Sequence, residues 1–107
     1  MALNGRLEGK VAVVTGASNG MGAAESKLLA SEGAHVVACD IQAESGEEVV
    51  SEILSEGGSA EYAHCDVTSE IEWKSVIEST VSKYGGLHVL VNNAGISSTS
   101  VEDNLAT

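Results

Sequence analysis

The chain has 107 residues, 43% of them hydrophobic, with sixteen acidic residues against five basic ones and a formal charge of −11. That length supports one small domain over residues 1–107 with one modest core. So negative a chain repels nucleic acid and anionic lipid, and Arg6, Lys10, Lys27, Lys74 and Lys83 are too scattered to form a basic patch.

The opening "MALNGRLEGK" has no apolar core of a signal peptide, and no apolar run is long enough to span a membrane, so a soluble, cytoplasmic protein is expected. "KVAVVTG" is a short β-branched run ended by glycine and predicts a buried strand. A glycine-rich loop follows. Beyond it Met21, Ala24, Leu28 and Leu29 recur at helical spacing until Gly33, a helix stop. "HVVACD" predicts a second strand, and a helix from about Ala43 to Glu56 carries Val49, Val50, Ile53 and Leu54 as its apolar stripe. "AEYAHCD" predicts a third strand. Ser69 and Glu72 form a capping-box pattern that opens a helix with Trp73, Val76, Ile77, Val81 and Tyr84 inward. "YGGL" stops it, and "HVLVNNAG" predicts a fourth strand.

Strands alternating with helices through short connections predict an α/β fold with a Rossmann-like doubly wound parallel sheet. The expected strand order is 3-2-1-4, the mononucleotide-binding half. Cys39 and Cys65 each precede an aspartate and read as buried reduced thiols. Neither lies near a histidine at ligand spacing, so no metal site is expected.

The loop "VVTGASNGMGAA" departs from the usual dinucleotide spacing, because Ser18 stands where the second glycine would be. Its position between a strand and a helix nevertheless suits a phosphate cradle better than a plain glycine turn. Gly16 can turn the chain out of the strand, Gly20 leaves room for a pyrophosphate, and Gly22 lets the helix approach the sheet. Ser18 and Asn19 add hydrogen-bonding groups at an adenosine ribose and phosphate. Asp40 ends the second strand 18 residues after Gly22, a spacing suited to gripping both ribose hydroxyls. Asp66 ends the third predicted strand and can accept from an adenine amino group, with Val67 as an apolar wall.

Thr15 to Gly22 as T-G-x-x-x-G-x-G, the Asp66–Val67 pair and Asn92 to Gly95 as N-N-A-G together resemble the short-chain dehydrogenase/reductase family, from about Gly9 to Ile96. The resemblance implies NAD as cofactor, with Gly16, Ser18, Asn19, Gly20, Met21 and Gly22 around the pyrophosphate and Asp40, Asp66 and Val67 along the adenosine. It also implies a wall of Asn93, Ala94 and Gly95 beside the ribose, with Asn93 the foremost contact. His88 is a departure, because the family's fourth strand opens with aspartate, and a sheet-bracing interaction depends on that position.

Members of the family move hydride with a serine, an asparagine and a Tyr-x-x-x-Lys pair. Here Tyr62 is followed at that spacing by Asp66 and Tyr84 by His88, so no catalytic residue is assigned. The chain therefore reads as the cofactor half of a longer or truncated oxidoreductase. The full-length form is expected to act on a small secondary alcohol or ketone and to be a homo-oligomer. The "DVTSEIEW" and "NNAGIS" segments resemble most those of secondary-alcohol and hydroxysteroid dehydrogenases. A non-catalytic nucleotide-binding or interaction module is the alternative.

Overall fold

The computed structural model of the chain describes residues 5–93. Along it run β1 (Val11–Thr15), α1 (Gly20–Ser31), β2 (His35–Asp40), α2 (Ala43–Ser55), β3 (Ser59–His64), α3 (Glu70–Tyr84) and β4 (Val89–Asn92). The four strands form one parallel sheet in the order β3-β2-β1-β4, as the sequence predicts. In register, Val13 stands between Val37 and Leu90, and Thr15 between Cys39 and Asn92.

Side chains alternate between the two faces of a strand. Val14, Val36 and Ala38 join Ala30 of α1 and Val49, Val50 and Ile53 of α2 in one core. Val13, Val37 and Cys39 join Cys65 and Trp73 of α3 in the other. Neighbours on both edges and helices over both faces leave every residue of β1 buried, whereas β4 is half-buried along its length.

Three expectations need correction. The inward row of α1 is Gly22, Ser26 and Ala30, while Met21, Ala24 and Leu28 are exposed and Leu29 is half-buried. The cause is distance: a Cβ on Gly22 would stand 2.0 Å from the Gly16 carbonyl oxygen, so only small residues fit this face. Leu54 and Val81 likewise lie outward, with Gly46 and Thr80 among the buried positions of α2 and α3. Finally, β3 ends at His64 rather than Asp66, because its ladder partner β2 ends at Asp40, opposite His64.

Helix ends follow the local sequence. The Asn19 side chain accepts from the Gly22 amide at 2.8 Å and caps α1. Ser69 accepts from the Glu72 amide at 3.3 Å, but Glu72 reaches back to the Asp66 amide at 2.9 Å, so the capping box is half formed. Gly85, at φ 85°, ends α3 in the left-handed conformation. The expected extension of β4 through Ala94 and Gly95 falls outside the described residues.

Candidate functional site

The carboxyl ends of the strands open onto a cleft of about 380 Å³. Gly16, Ser18 and Asn19 border it on the β1 side, Asp40, Ile41 and Gln42 at the end of β2, and Cys65 to Thr68 beyond β3, with Asn93 closing it. A hollow of about 420 Å³ lies at the other end of the sheet between the last turns of α1 and α2. Its Lys27 is already paired with Glu52, and it brings together no set of donors comparable to a helix start.

The loop after β1 is built around two close approaches. Gly16 takes φ 61°, and a Cβ on it would lie 3.2 Å from the Asn93 carbonyl group. Both conformation and space therefore demand glycine there. A Cβ on Gly20 would meet nothing within 4 Å, so this residue faces open space at the start of α1. The first amides of a helix have no intrahelical acceptor and sit at the positive end of its dipole, an arrangement that suits a phosphate. Met21 shares this turn, with its side chain exposed.

Asp40 is held more firmly than an ordinary strand-end carboxylate. Its Oδ2 accepts from the Ser18 amide at 3.0 Å and the Ser18 hydroxyl at 2.6 Å, and its Oδ1 accepts from the Gln42 amide at 3.0 Å. Burial works to raise this carboxyl, but the donors from Ser18, Gln42 and Ile41 outweigh it and bring it below its ordinary value of 3.8. Asp66 makes an Asx turn: its Oδ1 accepts from the Thr68 amide at 3.0 Å and hydroxyl at 2.6 Å, which lowers its carboxyl. Val67 is half-buried beside it. Both aspartates thus present a fixed negative charge to one cleft.

The end of β4 is tied to β1 through Thr15, whose hydroxyl donates to Asn92 Oδ1 at 2.9 Å and accepts from the Asn93 amide at 2.9 Å. The Asn93 side chain donates to Glu25 of α1. At the other end of the strand, His88 supplies the bracing interaction that its identity called into question: the Val11 amide donates to His88 Nδ1 at 3.0 Å. An imidazole lone pair fills an acceptor position as a carboxylate would.

Sequence reasoning missed Tyr62, whose hydroxyl donates to the Asp40 carbonyl at 2.6 Å, and Cys65, which lines the cleft together with Asp66. Burial pushes the Cys65 thiol up to about 11 and the Cys39 thiol up to about 12. Thr68 carried a signal in the Asp-x-Thr spacing of its turn, whereas Glu25 carried none. Among the described residues no cluster of three metal-ligating side chains occurs, and no helix is long and apolar enough to cross a membrane.

The short chain dehydrogenase family model matches residues 10–107. The chain is 47% identical over 94 residues to a 3-alpha-(or 20-beta)-hydroxysteroid dehydrogenase of Mycobacterium bovis, covering 88% of this chain and 35% of that protein. It is 50% identical over 92 residues to short chain aldehyde dehydrogenase 1 of Euphorbia lathyris, covering 86% and 32%. The chain thus spans about a third of the length of these curated relatives. Among solved structures, a hydroxysteroid dehydrogenase from Escherichia coli superposes with a TM-score of 0.80 at 43% identity, over 87% of this chain and 40% of that one. A metagenomic short-chain oxidoreductase in complex with NADP superposes at 0.81 with 42% identity, over 84% and 41%.

Proposed function

We propose, on the premise that the chain belongs to the short-chain dehydrogenase family, that it forms the NAD-binding half of an oxidoreductase acting on a secondary alcohol or ketone. In this reading Gly16, Gly20, Met21 and Gly22 cradle the pyrophosphate at the start of α1, and Ser18 and Asn19 shape the loop. Asp40 takes the ribose hydroxyls, Asp66 the adenine amino group, and Val67 one face of the ring. Asn93 borders the ribose, and Ala94 and Gly95, the next two residues of the motif, lie outside the described residues. The bound cofactor supplies the nicotinamide that accepts or gives hydride. The chain contains no Tyr-x-x-x-Lys, so proton transfer falls to residues outside it and the 107-residue chain alone is inactive. Likeness to hydroxysteroid dehydrogenases supports a hydroxysteroid or similar secondary alcohol as the substrate class.

The observation that carries the preference for NAD over NADP is the fixed Asp40 carboxylate in a cleft lined, among the described residues, by no lysine or arginine. Family membership leaves this choice open, since a relative at 42% identity holds NADP. A 2′-phosphate about 4 Å from Asp40 would be repelled by roughly 4 kcal/mol at an effective dielectric near 20, and less where water screens it. A preference of about a hundredfold survives that screening. Calorimetric titration with NADH and NADPH tests the reading: NADH should bind tighter, and Asp40→Ala should bring the two affinities together. Equal affinities in the unaltered chain would overturn it.

A further inference from the structure

Asp40 lies at the mouth of the cleft, where a lone carboxylate could turn about its own side-chain bonds and move its charge away from an incoming group. Repulsion falls in proportion to distance, so a carboxylate that swings from about 4 to about 8 Å halves it. Discrimination against a second negative charge therefore needs more than the charge. The charge must be unable to leave.

We propose that Ser18 is the positioning residue that makes Asp40 a discriminator between the two nicotinamide cofactors, by clamping one carboxylate oxygen with both its amide and its hydroxyl. The inference rests on the reading of Asp40 as the ribose-binding residue. Ser18 donates twice to Oδ2, at 3.0 and 2.6 Å, while Oδ1 accepts from Gln42 at 3.0 Å. Both Ser18 donors fall on Oδ2, so Oδ1, which accepts from Gln42, is the oxygen left to face the ribose hydroxyls.

The anchors behind both partners are rigid. The Asp40 carbonyl accepts from the Tyr62 hydroxyl at 2.6 Å and the Cys65 amide at 3.2 Å, which stops the end of β2 from retreating. The loop holding Ser18 is tied back to the same strand, because the Ala17 amide donates to the Cys39 carbonyl at 3.1 Å. Turning Asp40 away from a phosphate would therefore break the charge-assisted bonds from Ser18 and Gln42. A dinucleotide with a free 2′-hydroxyl needs no such movement.

The test is a cycle on the full chain, with NADH and NADPH affinities measured by calorimetry for the parent, Ser18→Ala, Ser18→Thr, Asp40→Ala and the Ser18→Ala/Asp40→Ala pair. Ser18→Ala should narrow the NADH-over-NADPH ratio about tenfold. Ser18→Thr should keep the ratio, and Ser18→Ala should have no effect on it once Asp40 is alanine. A Ser18→Ala change that weakens both cofactors equally would overturn the proposal, since Ser18 would then serve only the loop. A ratio unmoved by Asp40→Ala would instead remove the ribose-binding reading, and this inference with it. Without any cofactor, carbon-detected NMR should show the Asp40 carboxyl titrating at higher pH in Ser18→Ala than in the parent. An unchanged titration would overturn the clamp.

Discussion

On the face carrying Val14, Val36 and Ala38, the helices come close through residues with little or no side chain, whereas on the face carrying Val13, Val37 and Cys39, α3 stands off behind Trp73. Gly22, Ser26 and Ala30 line the first contact, and Gly46 packs where a Cβ would lie 2.5 Å from the Tyr62 ring. The second contact is filled by one large anchor and a border of half-buried residues that includes Val76, Ile77 and Leu90. The first face fails when atoms are added, and the second when they are removed. The glycine loop proposed to hold the cofactor grows out of the first, so on that reading binding and packing share residues there.

The largest effect should come from emptying the second face. Trp73 is 5% exposed, and Trp73→Ala should cost about 3–5 kcal/mol in urea unfolding while leaving the loop geometry of the remaining folded molecules intact. Next comes filling the first face. Gly22→Ala puts a methyl group 2.0 Å from the Gly16 oxygen, and overpacking of this kind costs about 1–3 kcal/mol. Unlike Trp73→Ala it should also abolish NADH binding, because Gly16 belongs to the loop. Retained binding in Gly22→Ala would break the link between packing and site.

A smaller change probes the seam that both faces share. His88→Ala leaves the Val11 amide without its side-chain acceptor and should cost about 1 kcal/mol, whereas His88→Asp supplies an acceptor again and should recover most of it. The smallest expected effect is acid sensitivity on the α3 face. Burial acts to raise the Glu61 carboxyl, but Tyr84 and Lys83, with His35 nearby, bring it below its ordinary value of 4.5. A carboxyl lowered on folding stabilises the fold above its unfolded value and ceases to do so as pH falls through the folded one. Glu61→Gln should therefore lower the melting temperature slightly at pH 7 and flatten its fall below about pH 4.5, so that parent and variant converge in acid.

The central strand was legible because a parallel strand buried on both faces reads as a near-continuous apolar run, as "VAVVT" does. The orientation of α1 was not. Hydrophobic periodicity favours large residues as the inward row, and here Met21 and Leu28 face outward because the sheet lies too close to admit them. The limit of β3 was hidden for another reason, since a strand stops where its neighbour stops, and no residue within "AEYAHCD" records the length of β2. At the cleft, the glycines and both aspartates could be found from spacing along the chain. The bonds that fix them could not, because Ser18 meets Asp40 across 22 residues and Glu25 meets Asn93 across 68.

The pairing of β1 with β4 has a consequence for the order of events during synthesis. β1 leaves the ribosome first among the strands, yet its second edge is covered only by β4, and Thr15 waits for Asn92, 77 positions further along the chain. Contacts so distant in sequence close late, because the intervening loop entropy must be met first. Until then the most apolar strand of the sheet has one open edge, a state prone to pairing with another nascent chain. The same delay governs the cleft, whose border at Asn93 is made after every other described residue has been added. The cleft is thus the last part of this sheet to be completed, and the site proposed here at Gly16 and Asn93 exists in full only once β4 has docked.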